Sequence, residues 1–184
     1  PIMSDERGWP AWGRFAQQRL IMGGLPLRPN DVIASVSGDP FNINVELGIA
    51  TGAFIYEIDG SRNTVISDMF VSTTLLFYGD EHMAFLKNQI LSATEVPQFG
   101  LSDTPGIKAE TSPISSENAV FSIHRGGSTL MMTAFTELEQ NFAADNASVL
   151  SAFLIKNPSE LYRRKATGAV DSDVMFMINE DGTI

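Results

Sequence analysis

The sequence contains no cysteine, and only two of its 184 residues are histidine. Without cysteine the chain forms no disulfide, no thiolate zinc site and no cysteine nucleophile. His82 and His124 also lack a second histidine or a carboxylate at the i+4 spacing that places two metal ligands on one helix face. We therefore expect no metal site and no cofactor.

Motifs that bind nucleotide phosphates are missing as well, since neither G-x-x-x-x-G-K-[ST] nor G-x-G-x-x-G occurs. Ser128 follows two glycines near His124, but the G-x-S-x-G pattern of a serine nucleophile is absent, and a two-glycine hairpin turn needs no catalysis. We expect no catalytic residue. One alternative stays open, a small enzyme that uses the amine of Pro1 as a base or nucleophile, as tautomerases do.

Long apolar runs and positive charge are both scarce. No run reaches the roughly 18 apolar residues that span a bilayer, and Asp5, Glu6 and Arg7 lie where the apolar part of a targeting signal should begin. With 12 Lys+Arg against 22 Asp+Glu the net charge is -10, which repels nucleic acid and anionic membranes. These features predict a cytoplasmic protein with neither nucleic acid nor membrane as a partner.

The acidic residues are concentrated in the middle of the chain. Residues 29–160 contain 16 acidic and five basic side chains, whereas most remaining basic residues lie near the two ends. Two interpretations stay open: a solvated surface that keeps the protein in solution, or a surface that attracts a basic partner.

The length and the 43% hydrophobic content are those of one folded domain. We expect a single domain over residues 1–184. Within it, residues 1–8 form a flexible N-terminus, the Pro- and Ser-rich residues 98–117 a long loop, and residues 157–184 a C-terminal extension.

Three segments have the apolar spacing of amphipathic helices. The segment from Trp9 to Met22 is followed by Gly23 and Gly24, and the segment from Glu81 to Glu95 precedes Pro97. The third runs from Thr136 to Lys156, where Thr136 and Glu139 match a capping box. The apolar residues of the three stripes are Trp12, Phe15, Ala16 and Leu20; Met83, Leu86, Ile90 and Ala93; and Leu138, Phe142, Val149 and Phe153.

Short β-branched and aromatic runs between these segments predict strands. They are Val32–Val36, Phe41–Leu47, Ala53–Ile58, Thr64–Met69, Val71–Tyr78, Ala119–Ile123, Thr129–Ala134 and Val174–Ile178. Short connections between strands favour antiparallel pairing. The predicted fold class is therefore α+β: a predominantly antiparallel sheet flanked by an N-terminal helix, a central helix and a long C-terminal helix.

This order resembles that of the class I type III secretion chaperones, over roughly residues 10–156. The segment Trp12–Arg19 looks like the N-terminal helix of that family, Met83–Thr94 like its dimer helix, and Leu138–Leu154 like its final helix. The strands of the family are matched by Phe54–Gly60, Thr64–Asp68, Val71–Tyr78, Ala119–His124 and Ser128–Phe135.

The resemblance implies an ATP-independent chaperone that binds an extended segment of a secreted effector polypeptide and forms a homodimer. Apolar strand residues would then bind the effector, namely Phe54, Ile55, Met69, Val71 and Met131, and the central helix would supply Met83, Leu86 and Ile90 to the dimer interface. The alternative from a different class is a structural or assembly subunit without catalysis, such as a viral or secretion-apparatus protein.

Overall fold

The computed structural model describes residues 3–58, 64–88, 90–116, 118–168 and 171–184. Strands make up 46% of it and helix 3%, and the described residues contain no helix of seven or more residues. The two helical turns are 3-10 turns, Val45–Leu47 and Ala152–Leu154. Among the described residues, no helix has the length and apolar character needed to cross a membrane.

The chain divides into two compact units, Pro1–Leu101 and Ser102–Ile184. Whether they fold as one domain stays a prediction.

The first unit is built from two four-stranded antiparallel sheets whose strands follow chain order. The first sheet contains β1 (Trp12–Ala16), β2 (Arg19–Leu25), β3 (Arg28–Ala34) and β4 (Phe54–Glu57). The second contains β5 (Ile66–Val71), β6 (Leu75–Gly79), β7 (Met83–Leu86) and β8 (Phe99–Ser102).

The first strands of these two sheets, β1 and β5, are joined by side chains. The indole N–H of Trp12 donates to the carbonyl oxygen of Ile66 at 2.7 Å. Arg14 donates to both carboxylate oxygens of Asp68, at 3.0 and 2.6 Å. Between the sheets lies one hydrophobic core that includes Phe54, Met69 and Phe77.

Gly23 is in β2 because the ring of Trp12 lies where a side chain would be. A Cβ atom at this position would be 2.3 Å from Cζ2 of Trp12, so any side chain here would require the indole ring to shift. Gly24 follows with a φ of 71°, at the point where the register between β2 and β3 shifts. The two glycines therefore shape a bulged strand and do not end a helix.

Arg19 is a buried cation whose partners are backbone carbonyl groups. Its guanidinium donates to the oxygens of Ser35 and Gly52 at 2.6 Å each, and to that of Ala50 at 2.9 Å. It also lies 5.3 Å from the ring centroid of Phe54. Burial lowers the pKa of Arg19 from its ordinary value. The side chain thus fixes the connection between β3 and β4.

The second unit contains a third four-stranded sheet and a sheet of two strands. The third sheet has the order β12-β11-β10-β9, with β9 (Ile114–Ser116), β10 (Ala119–Ile123), β11 (Leu130–Thr136) and β12 (Asn141–Asn146). The last sheet pairs β13 (Glu160–Arg164) with β14 (Val174–Ile178). Here too the first strands of consecutive sheets are joined, since Arg163 of β13 donates to the carbonyl oxygen of Ser115 in β9.

The predicted α+β class is therefore wrong, and each of the three predicted helices is replaced by strands. The segment Trp9–Met22 forms β1 and most of β2, joined by a tight turn in which Gln17 and Gln18 both have positive φ. The central helix is replaced by β7, whose four residues are all buried. The long C-terminal helix is replaced by the end of β11, by β12 and by an irregular turn.

Most of the predicted strands are confirmed. The run Val174–Ile178 is β14 with the same bounds, and the hairpin predicted at Ala119–Ile123 and Thr129–Ala134 is β10 and β11. Phe41–Leu47 is wrong as a strand, because Asn44 accepts the N–H of Glu46 and starts a 3-10 turn. Residues 98–117 contain β8 and β9, although we expected one long loop.

Candidate interaction surface

The second unit exposes large apolar side chains on its last turn and its last strand. The turn between β12 and β13 exposes Val149, Leu150, Phe153 and Leu154, with Leu150 93% accessible. In β14 the exposed residues are Met175 and Phe176. We call these six residues the C-terminal apolar surface.

A groove of about 440 Å³ joins the two parts of this surface. Leu154 lines it from the turn, Met175 and Phe176 from β14, and Ile184 from the end of the chain. Polar side chains also line the groove, namely Ser148, Ser151, Lys156, Asn179 and Thr183. The exposed apolar side chains of the turn and of β14 are suited to apolar side chains of a partner.

Asn179 holds the turn against β14 with a buried side chain. Its Oδ1 accepts the N–H of Lys156 at 2.8 Å, while its Nδ2 donates to the carbonyl oxygen of Leu154 at 3.1 Å. At the other end of the turn, the hydroxyl of Ser148 accepts the N–H of Leu130 at 3.0 Å. The exposed side chains therefore project from a turn whose backbone is fixed at both ends.

The charged groups around β14 are paired with one another. Asp173 accepts from Arg163, and Arg164 pairs with Asp171 at 2.9 Å. The pKa of Asp173 is lowered, first by the backbone N–H of Ala166 and then by hydrogen bonds from Arg163 and Ser116.

Beyond the far end of β14, Lys156 pairs with Asp181 at 3.0 Å. The pKa of Asp181 is lowered to about 2, mainly because the hydroxyl and the N–H of Thr183 donate to this carboxylate. The charges at both ends of β14 are thus locally compensated, and the strand between them is apolar.

Three of the predicted effector-binding residues are buried in the chain itself. Phe54 and Met69 belong to the core of the first unit, and Met131 is buried in β11 of the second. Ile55 is half-buried, and Val71, at the end of β5, is exposed. Four of the five side chains are therefore buried or half-buried, and Val71 is 48% exposed.

The predicted dimer residues are separated in the same way. Met83 and Leu86 lie in β7 and are buried inside the first unit, whereas Ile90 follows β7 and is 67% exposed. The described residues of this segment form no helix, so the predicted central dimer helix is wrong. The periodicity that suggested a helix face comes instead from a buried strand and the loop after it.

The two histidines are held by neighbouring groups of the chain. The imidazole of His82 is buried with Thr64, whose hydroxyl lies 3.1 Å from Nδ1 of His82. Nδ1 of His124 accepts the N–H of Gly126 at 3.0 Å, which stabilises the turn before Ser128. Among the described residues, no group of three His, Asp or Glu side chains is arranged to hold a metal ion. Pro1 lies outside the described residues.

The sequence did not reveal the C-terminal apolar surface. The apolar spacing predicts Val149 and Phe153 on one stripe of a helix, and in the structure both are exposed outside any helix of the described residues. The one relevant signal was the pair Asp145 and Asn146, which interrupts the helical pattern and marks the end of β12. For Phe176 the sequence predicted the strand but not its exposure.

Comparisons with known proteins identify no family for this chain. A scan against protein-family models finds no matching family, and a search of curated proteins finds no significant match. The function is therefore inferred from the site alone.

Proposed function

We propose that this chain is a structural or assembly subunit without catalytic activity, which contacts other polypeptides through the C-terminal apolar surface. The observation that supports this proposal is the exposure of Leu150, Phe153 and Phe176 on a turn and a strand of fixed geometry. Several large exposed apolar side chains of this kind are typical of protein interfaces.

Preorganisation makes this surface suitable for stable contacts. The hydrogen bonds of Asn179 with Leu154 and Lys156 order the turn in the absence of a partner. Binding then costs little backbone entropy, so more of the free energy of apolar burial appears as affinity. Rigid presentation favours a lasting structural contact over transient capture of a flexible segment.

The resemblance to the chaperones included three helices as well as strands, and the three helix segments form strands and turns in this structure. Capture of an effector segment stays a prediction, and so do the homodimer and the cytoplasmic location. The acidic composition agrees equally with a solvated assembly protein.

The proposal is tested by the size of the complex that contains this chain in its own cells. The double variant Leu150→Asp with Phe153→Asp places two charges on the surface, and Phe41→Asp is the control because Phe41 is 90% exposed in the first unit. We expect wild type and control to fractionate in a complex larger than twice 20.0 kDa, and the double variant to fractionate at twice 20.0 kDa or below. A wild-type chain found only at twice 20.0 kDa or below would contradict the proposal.

A further inference from the structure

Among the described residues, the last sheet has two strands, whereas each of the other three sheets has four. In each four-stranded sheet the second strand along the chain is paired on both sides: β2 between β1 and β3, β6 between β5 and β7, and β10 between β9 and β11. The strand in the same position of the last sheet is β14, and among the described residues it pairs with β13 alone. Within the described part of the chain, one edge of β14 therefore has no paired strand, and we call it the open edge.

The sequence of β14 is that of an interior strand. All five of its residues are apolar, Val-Met-Phe-Met-Ile, yet none is fully buried. The similarly apolar strands β6 and β7 of this chain lie inside their sheet, and every residue in them is buried. An apolar strand at an open edge pairs readily with another strand, and natural edges usually carry charges that prevent it.

We propose that β14 pairs antiparallel with β14 of a second copy of this chain, forming a four-stranded sheet with the order β13-β14-β14-β13. The inference rests on the proposed assembly function and names the partner at this part of the surface. Two two-stranded sheets joined in this way would have the four strands found in each other sheet of the chain.

The chemistry of the strand favours a second copy. In a two-fold pairing each residue near the axis lies opposite its own type, so a charged residue there would repel itself. β14 contains no charge, and the carboxylates beside it, Asp171 and Asp173, are already paired with Arg164 and Arg163. Leu154 and Ile184 line the adjoining groove and would add apolar contact area beyond the paired strands.

Sedimentation velocity over a concentration series tests the pairing with two matched variants. Phe176 and Tyr162 lie directly opposite each other in the β13–β14 register and are 41% and 54% exposed. Phe176→Lys changes the open strand, whereas Tyr162→Lys makes the same kind of change on the strand away from the open edge. We expect wild type and Tyr162→Lys to sediment as dimers of twice 20.0 kDa. For Phe176→Lys we expect the dissociation constant of the dimer to be at least tenfold higher than that of wild type.

Cysteine cross-linking gives a second measurement that does not depend on the lysine variants folding. The chain has no cysteine, so each introduced thiol is the only one present. Among the single variants Met175→Cys, Phe176→Cys and Met177→Cys, the one nearest the two-fold axis should form a covalent dimer on mild oxidation. Tyr162→Cys should not, because the two β13 strands would be about 14 Å apart across two β14 strands.

A chain that is monomeric at about 100 μM would overturn the inference. So would a dimer that Phe176→Lys leaves intact, or oxidation that links none of the three β14 thiols. Each of these outcomes is independent of whether Leu150 contacts another polypeptide, so the assembly function would remain to be judged by its own test.

Discussion

The side-chain oxygen of Asn179 accepts the backbone N–H of Lys156 at 2.8 Å, and this bond joins the residues that follow β14 to the exposed turn before β13. The amide nitrogen of Asn179 completes the link by donating to Leu154 and to the hydroxyl of Thr183. One buried side chain therefore sets the position of Leu154 relative to β14.

Replacing Asn179 should loosen the C-terminal apolar surface. The variant Asn179→Ala leaves the N–H of Lys156 and the carbonyl oxygen of Leu154 without this partner, and we expect a loss of about 2 kcal/mol in the free energy of unfolding. Urea unfolding followed by circular dichroism measures the change. Ser159→Ala is the control: it removes an exposed hydrogen bond of 3.3 Å and should cost less than about 0.5 kcal/mol. Equal losses in the two variants would contradict the role of Asn179.

Gly23→Ala should destabilise the first unit because its Cβ would collide with the indole ring of Trp12. We expect a cost of about 2 kcal/mol from overpacking, together with a shift in the tryptophan fluorescence. Gly13→Ala is the matched control on β1, since a Cβ there meets side chains at an ordinary 3.6 Å. If Gly23→Ala proves as stable as Gly13→Ala, the close approach of Trp12 to β2 is refuted.

Arg19 should be required for the stability of the first unit. Arg19→Met removes the donors to Ser35, Ala50 and Gly52 while keeping an apolar side chain, and the three carbonyl groups lose this partner. We expect a loss of about 3 kcal/mol, measured by urea unfolding. Arg19→Lys should restore only part of this loss, because an ammonium group cannot match the spread of donors on a guanidinium. Full recovery with lysine would show that charge alone is needed.

The carboxylate of Asp181 should respond to pH in a defined direction. Its pKa in the folded chain is about 2, below the ordinary 3.8, so folding favours the charged form. The stability that it contributes is present above about pH 4 and is lost as the pH falls towards 2. Thr183→Val removes the hydroxyl donor and should raise the pKa of Asp181, whereas Thr183→Ser should preserve it. A carboxyl-detected NMR titration measures both, and an unchanged pKa in Thr183→Val would contradict the assignment.

The strands that the sequence predicted correctly are those whose pattern fits only one structure. Val174–Ile178 is rich in residues that favour strands and is bounded by polar residues, so its bounds were predictable. Met83–Leu86 was ambiguous, because four consecutive apolar residues fit a buried helix as well as an interior strand. Pro97, which follows the segment, favoured the wrong choice.

The prediction of an N-terminal helix is wrong for a different reason. Trp12 and Ala16 are both buried, and a spacing of four places two residues on one side of a helix and equally on one face of a strand. The decisive feature is the turn at Gln17 and Gln18, where φ is 49° and 61°. Tight hairpin turns of this kind favour Asn and Gly, and two glutamines give no such signal.

The candidate surface could not be predicted for a related reason. Leu150 and Phe153 are apolar, and sequence alone favours a buried position for large apolar residues. Their exposure follows from the end of β12 at Asn146 and from the bonds of Asn179, both of which are tertiary features. Sequence periodicity does not contain that information.

Site-specific photo-cross-linking tests the central claim most directly. A photoreactive amino acid replaces Leu150 in one variant and Phe41 in the other, and both are expressed in the cells in which the protein naturally occurs. The account predicts a discrete covalent adduct between the Leu150 position and a polypeptide, either a second copy or another chain, and none from the Phe41 position. Absence of any adduct at Leu150, or equal adducts at the two positions, would contradict an assembly role for the C-terminal apolar surface.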